Sequence, residues 1–279
     1  MHRLMNNAKA TLLMGSLMGL CLAIGYFLGG PNAMIFAFVF GGVLNLIAFF
    51  FSDKIALATM HAQQIGPADD PALWGLVEQL SQRAGLPMPR LYISPAAAPN
   101  AFATGRSPRH SAVCVTTGLR RMLTDTELRG VLAHELSHIK NRDVLIATIA
   151  AIMAGAITLL SRFAFFTGGG DDRRGNPLIA ILMMILAPIA AVIIQMAISR
   201  SREYEADRLG AELAQDARGL ARSLQKLEAA NQRIPLPAPE TQSSLFIVQP
   251  LTGGFGKLFS THPPTEERVA RLLDMERSF

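Results

Sequence analysis

The sequence is poor in charge, in cysteine and in clustered basic residues, and each shortage narrows what the protein can be. Charged residues make up 17% of the 279, against 50% hydrophobic ones. A soluble domain carries about a quarter charged residues, and the apolar residues here come in blocks, which points to a membrane. Two cysteines, Cys21 and Cys114, exclude a disulfide framework and lack zinc-finger spacing. No Lys/Arg-rich run interleaves with aromatics, so no nucleic-acid partner is expected. No internal repeat is visible. The net charge of +5 is therefore read through membrane topology.

Four stretches reach the length of about 20 apolar residues that a helix needs to cross a bilayer. They are Ala10 to Gly30, Ala33 to Phe51, Val144 to Ser161 (or on to Phe166) and Pro177 to Ser199. Asn45 and Gln195 are their only conspicuous polar groups, which argues against a channel or transporter. The first stretch is too long for a signal peptide and is followed almost at once by another. Within it Gly15 and Gly19 are spaced as at a helix-packing face. "GGPN" links the first pair and "TGGGDDRRGN" the second.

The expected organisation is a transmembrane hairpin (1–51), a first part of a catalytic domain (52–143), a second hairpin (144–199) and a second part (200–279). Two hairpins leave both parts on one side of the membrane, about 170 residues together, enough for a single core. Arg3, Lys9, Lys54, Lys140, Arg142, Arg200 and Arg202 flank the spans on that side, and Arg162, Arg173 and Arg174 on the other. The excess places the domain in the cytoplasm. "PALWGLVEQLSQRAG" reads as a helix with a proline start and a glycine stop. "PRLYISP", "NAFATG" and "SAVCVTT" read as short strands. Thr124 and Glu127 predict a capping box for the next helix, and "PPTEERVARLLDMER" reads as a final amphipathic helix.

The helix after Thr124 carries "HELSH". Residues i and i+4 share a helix face, so His134 and His138 can present imidazole nitrogens to one ion. Glu135 lies beside them, within reach of a bound water, and this is the H-E-x-x-H zinc pattern. Catalytic zinc takes three protein ligands and leaves one position open. A metzincin extension would need Gly at 141 and His at 144, but Asn141 and Val144 stand there. The other source is "SREYEADRLGAEL", directly after the fourth stretch. Glu203 and Asp207 are four apart and share a face. One can bind zinc while the other accepts the spare N–H of a ligating histidine. The assignment is Glu203 to zinc and Asp207 to the histidine, with Glu205 pointing elsewhere. His2, His61 and His110 have no ligand-type partner nearby.

With "HELSH", "SREYEAD" and the four spans in place, the chain resembles HtpX-type membrane metalloproteases, relatives of the CAAX prenyl endopeptidases. The resemblance implies an α-helical membrane protein with four transmembrane helices and a zincin-type α+β catalytic domain at the cytoplasmic face of a bacterial-type inner membrane. It implies one Zn²⁺ per chain and hydrolysis of peptide bonds in membrane-protein or unfolded polypeptide substrates. Quality control of damaged proteins and a tendency to self-cleavage come with it. "THPPTEER" looks like the family's H-P-x-x-x-x-R element, which implies His262 as oxyanion donor and Arg268 as a brace. "PNAFATG" looks like the family's edge strand, which implies substrate pairing along Asn100, Ala101, Phe102 and Ala103. Two alternatives remain: a non-proteolytic membrane adaptor or chaperone, and a CAAX-type processing protease.

Overall fold

The structure is a computed structural model that describes residues 2–147, 149, 200–231 and 263–276. Helix α1 (His2–Thr59) is apolar and helical throughout, yet it is not one rod. Asn45 Nδ2 donates to the Met14 carbonyl at 3.2 Å. In a straight helix 31 residues at 1.5 Å each would put these groups about 46 Å apart. The reversal lies at Gly30, whose φ of 65° suits a residue without Cβ, followed by Pro31. The "GGPN" link is therefore a hairpin turn. The helix Gly30–Thr59 is long and apolar enough to cross a membrane, and Ala10–Ala23 forms a shorter apolar helix. Ile35, Phe36, Phe38, Val39 and Phe40 are exposed along the longer helix, as expected of a lipid-facing surface. The two limbs approach at Gly41, against Met18 and Cys21, whereas Gly15 and Gly19 meet nothing nearby. The packing glycine is thus on the other limb from the one expected. The third and fourth expected spans lie outside the described residues beyond residue 149, and so does His262.

A small sheet follows. Its strands are β1 (Gln63–Ile65), β2 (Arg90–Ser94), β3 (Ala101–Ser107) and β4 (His110–Thr116). The order is β1-β2-β4-β3, parallel only between β2 and β4, which leaves β3 at one edge. Helix α2 (Pro71–Ala84) starts on an Asp70 cap and stops at Gly85 in the left-handed conformation. Its Leu73, Leu76, Val77 and Leu80 are buried against the sheet and later helices. After α3 (Thr117–Met122) comes α4 (Asp125–Asn141), which carries the HELSH segment and opens with the expected capping box between Thr124 and Glu127. Helix α4 stops at Asn141, and Arg142 (φ 62°) turns the chain before residues 143–147 become helical again. The left-handed residue separates α4 from the apolar stretch that follows.

Helices α5 (Arg200–Ala214) and α6 (Ala217–Asn231) pack on α4, and α7 (Thr265–Glu276) packs on α6 and α5. Leu128, Val131, Leu132 and Leu136 of α4 share one core with Ala211, Leu220, Leu224, Val269 and Leu272. Gly210 of α5 approaches α4 closely. A Cβ there would lie 2.9 Å from the His134 backbone nitrogen. Two helix backbones can run this close only where one side chain is missing, and that contact sets α5 against the histidines.

Candidate metal centre and active site

Helix α4 turns His134 and His138 to the same side, one turn apart, with their Nε2 atoms 3.2 Å from each other. Helix α5 brings Glu203 to the same point. Its Oε2 is 3.8 Å from His134 Nε2 and its Oε1 is 3.6 Å from His138 Nε2. These three residues form the one group able to hold a metal ion among the described residues. Four ligands about 2.0–2.1 Å from a zinc ion stand about 3.3 Å from each other, so the 3.2 Å between the ring nitrogens fits a tetrahedral site, and one Glu203 oxygen lies within 4.8 Å of both. Two imidazoles and a carboxylate are also the donor chemistry of catalytic zinc.

Each imidazole is held from behind. Asp207 Oδ1 lies 3.0 Å from His134 Nδ1, and Arg268 of α7 donates from Nε and Nη2 to the two Asp207 oxygens at 2.7 Å each. Arg268 is 1% exposed and its Nη1 is 3.9 Å from Glu203. It sits behind the ligands, where it can hold them and cannot touch a substrate. His138 Nδ1 is 3.2 Å from Asp143 Oδ2. The other Asp143 oxygen is 3.9 Å from Arg202 of α5. Asp143 was not singled out from the sequence. Its reach depends on the left-handed turn at Arg142, and no glycine stands there to signal one.

Glu135 points the other way, toward the sheet, and accepts a hydrogen bond from the Ala103 N–H at 2.8 Å. This fixes the register of β3. The Ala103 N–H points away from β4, so Ala101, Ala103 and Gly105 turn their backbone groups toward the sheet edge, while Phe102 and Thr104 turn theirs to β4. Phe102 shares a buried cluster with Ala56 and Leu57 of α1 and with Met60 just beyond it. Asn100 spends its backbone groups on Thr116, its N–H donating to the hydroxyl at 2.8 Å and its carbonyl accepting at 2.9 Å. Of the four residues expected to pair with substrate, Asn100 and Phe102 spend their backbone groups on β4 and Ala103 gives its N–H to Glu135, which leaves the Ala101 groups and the Ala103 carbonyl turned to the sheet edge.

The electrostatics follow from burial around this cluster. Burial pushes Glu135 up to about 7, against the opposing pull of the His138 charge and the Ala103 amide. Burial alone would lower His138, but the Asp143 hydrogen bond and the charges of Glu203, Asp143 and Glu135 outweigh it and hold the imidazole up to about 9. His134 is lowered by burial despite Asp207. Asp207 would be raised by burial, yet Arg268 and His134 keep it below the usual carboxylate range. Glu205 faces away from the site and pairs with exposed Arg208. His110 is exposed and meets Ser107, and both cysteines are free.

Comparison with known proteins places this geometry. A family model described as Peptidase family M48 matches residues 67–276. The chain is 51% identical over 279 residues to a "Protease HtpX homolog" of Pelotomaculum thermopropionicum, covering 97% of this chain and 99% of that one. It is 50% identical over 277 residues to a protein of the same description from Methylibium petroleiphilum, covering 97% and 98%. Among solved structures it is similar to "Crystal Structure of S. mikatae Ste24p", with a TM-score of 0.54 and 20% identity, over 96% of this chain and 66% of that one. That last likeness is one of fold.

Proposed function

The chain belongs to peptidase family M48, among its HtpX proteases, and from that premise we propose that this membrane-associated metallopeptidase is a zinc-dependent endopeptidase, working at the cytoplasmic face of a bacterial-type inner membrane on misfolded or damaged membrane proteins. The support is geometric: the His134 and His138 Nε2 atoms stand 3.2 Å apart, with one Glu203 carboxylate oxygen within 4.8 Å of both.

Zinc bound there supplies Lewis acidity for the scissile carbonyl and an acidified water at neutral pH. Glu135 accepts a proton from the attacking water on its carboxylate and returns it to the leaving nitrogen. Asp207 and Arg268 keep the His134 imidazole in one tautomer, with Nε2 forward. His262 is assigned as donor to the oxyanion, a contribution of about 3 kcal/mol for one fixed donor. The Ala101 backbone groups and the Ala103 carbonyl take an extended substrate by strand addition. Such pairing needs unoccupied main-chain N–H and C=O groups, which unfolded segments offer and folded ones do not. This favours quality control over a dedicated substrate.

Casein digestion by the detergent-solubilised chain, lost with chelator and restored by zinc, is the expected activity. Glu135→Gln should copurify with about one zinc and cut nothing. A Glu135→Gln chain that digests casein at the parent rate removes Glu135 from the mechanism. A parent chain that holds zinc without cutting makes the protein an adaptor.

A further inference from the structure

We propose that Asp143 is a positioning residue for the His138 ligand, itself clamped by Arg202. The proposal rests on the metal site described above and adds a partner to it. On an unbroken helix Asp143, five residues after His138, would be rotated about 140° away from it around the axis. The chain instead breaks at Arg142, which takes a left-handed backbone (φ 62°) that a residue with a Cβ seldom adopts. Strain of this kind persists where the surroundings over-determine it and gathers at functional sites. Here it folds Asp143 back beneath the ring of His138.

The contacts fit the role. Asp143 is 5% exposed, with Oδ2 3.2 Å from His138 Nδ1 and Oδ1 3.9 Å from Arg202 Nη1. His138 Nε2 is the atom facing His134 and Glu203. An Nδ1–H donated to Asp143 leaves Nε2 with its lone pair forward, the tautomer a metal ligand needs. The arrangement repeats the one behind His134, where Asp207 takes Nδ1 and Arg268 holds Asp207. Each histidine thus has a carboxylate and an arginine behind it. Arg202 adjoins Glu203 on α5, so one helix supplies both the third ligand and the hold on Asp143.

A purely structural duty is open to Asp143, because it stands where residues 143–147 begin a new helical turn and Asp is a good cap. Two substitutions separate the duties. Ser caps as well as Asp but is too short to reach Nδ1, whereas Asn both caps and accepts. Zinc affinity of the full-length chain in detergent, read by competition with a chromogenic chelator, is the measurement. The unfolding midpoint of the metal-free chain is the control. Asp143→Ser should bind zinc about 10–100-fold more weakly, with a midpoint that falls no further than that of Asp143→Asn. Asp143→Asn should recover most of that loss, and Arg202→Met should fall between. Zinc binding by Asp143→Ser within about twofold of the parent overturns the proposal, and so does Asp143→Asn losing as much as Asp143→Ser. A parent that binds no zinc overturns the metal site, and this inference with it.

Discussion

His134 and His138 present the same nitrogen to the same point, but the supports behind them are built differently. Behind His134 stands a long-range assembly: Asp207 comes from α5 and Arg268 from α7, both fully sequestered, with two short charge-assisted bonds between them. Behind His138 stands a local one, in which Asp143 lies just past the end of the same helix and Arg202 is 3.9 Å away and 11% exposed. A support assembled from three helices also ties those helices together, so it carries fold stability and site geometry at once. A support centred on one backbone turn, with its arginine 3.9 Å away, ties fewer helices together.

The widest separation between the two should appear in stability. Arg268→Ala strands a buried Asp207 carboxylate, and breaking such a pair costs about 3–5 kcal/mol. Arg202→Ala loosens a longer, partly solvated pair and should cost about 1 kcal/mol or less. Chemical denaturation of the metal-free chain checks this. Equal losses would mean that both supports hold the fold.

A smaller separation is expected in pH dependence. His138 is raised to about 9 and His134 is lowered. Zinc must therefore displace a proton from His138 but not from His134 over most of the neutral range. Apparent zinc affinity should climb by up to about tenfold per pH unit from 7 toward 9 and then level off. The sign for folding is opposite. A raised pKa stabilises the metal-free chain fully below the unfolded value, about 6.5, and that contribution fades as pH rises through 9. Chelator competition and melting curves across pH 6.5–9 read both trends, and a zinc affinity flat over that range would mean His138 binds without shedding a proton. The smallest effect belongs to neither support. Glu205 faces solvent with Arg208, so Glu205→Gln should leave zinc affinity unchanged, and a tenfold loss would move the third ligand from Glu203 to Glu205.

The same contrast explains what the sequence made legible. Spacing rules see helices: the HELSH face, the pairing of Glu203 with Asp207 on α5, the Thr124–Glu127 capping box and the Asp70-to-Gly85 limits of α2 all rest on periods and caps with fixed chemistry. The edge position of β3 entered through the resemblance, since seven residues of strand carry no mark of their neighbours. What stayed hidden depends on one backbone angle or one close approach. Arg142 in a left-handed turn has no compositional signal, so Asp143 went unnoticed. Gly210 reads as an ordinary helix glycine until α4 is packed against it. The bond from the Ala103 amide to Glu135 needs the register of a sheet edge against a helix, which no local pattern encodes.

Zinc-edge X-ray absorption of the Glu135→Gln chain, with and without an added Glu203→Ala change, tests the central claim most directly. The account predicts two imidazole nitrogens and carboxylate oxygen at about 2.0–2.2 Å in the first chain, and loss of that metal shell in the second. An unchanged shell after Glu203→Ala, or a shell with fewer than two imidazoles in the first chain, would contradict it.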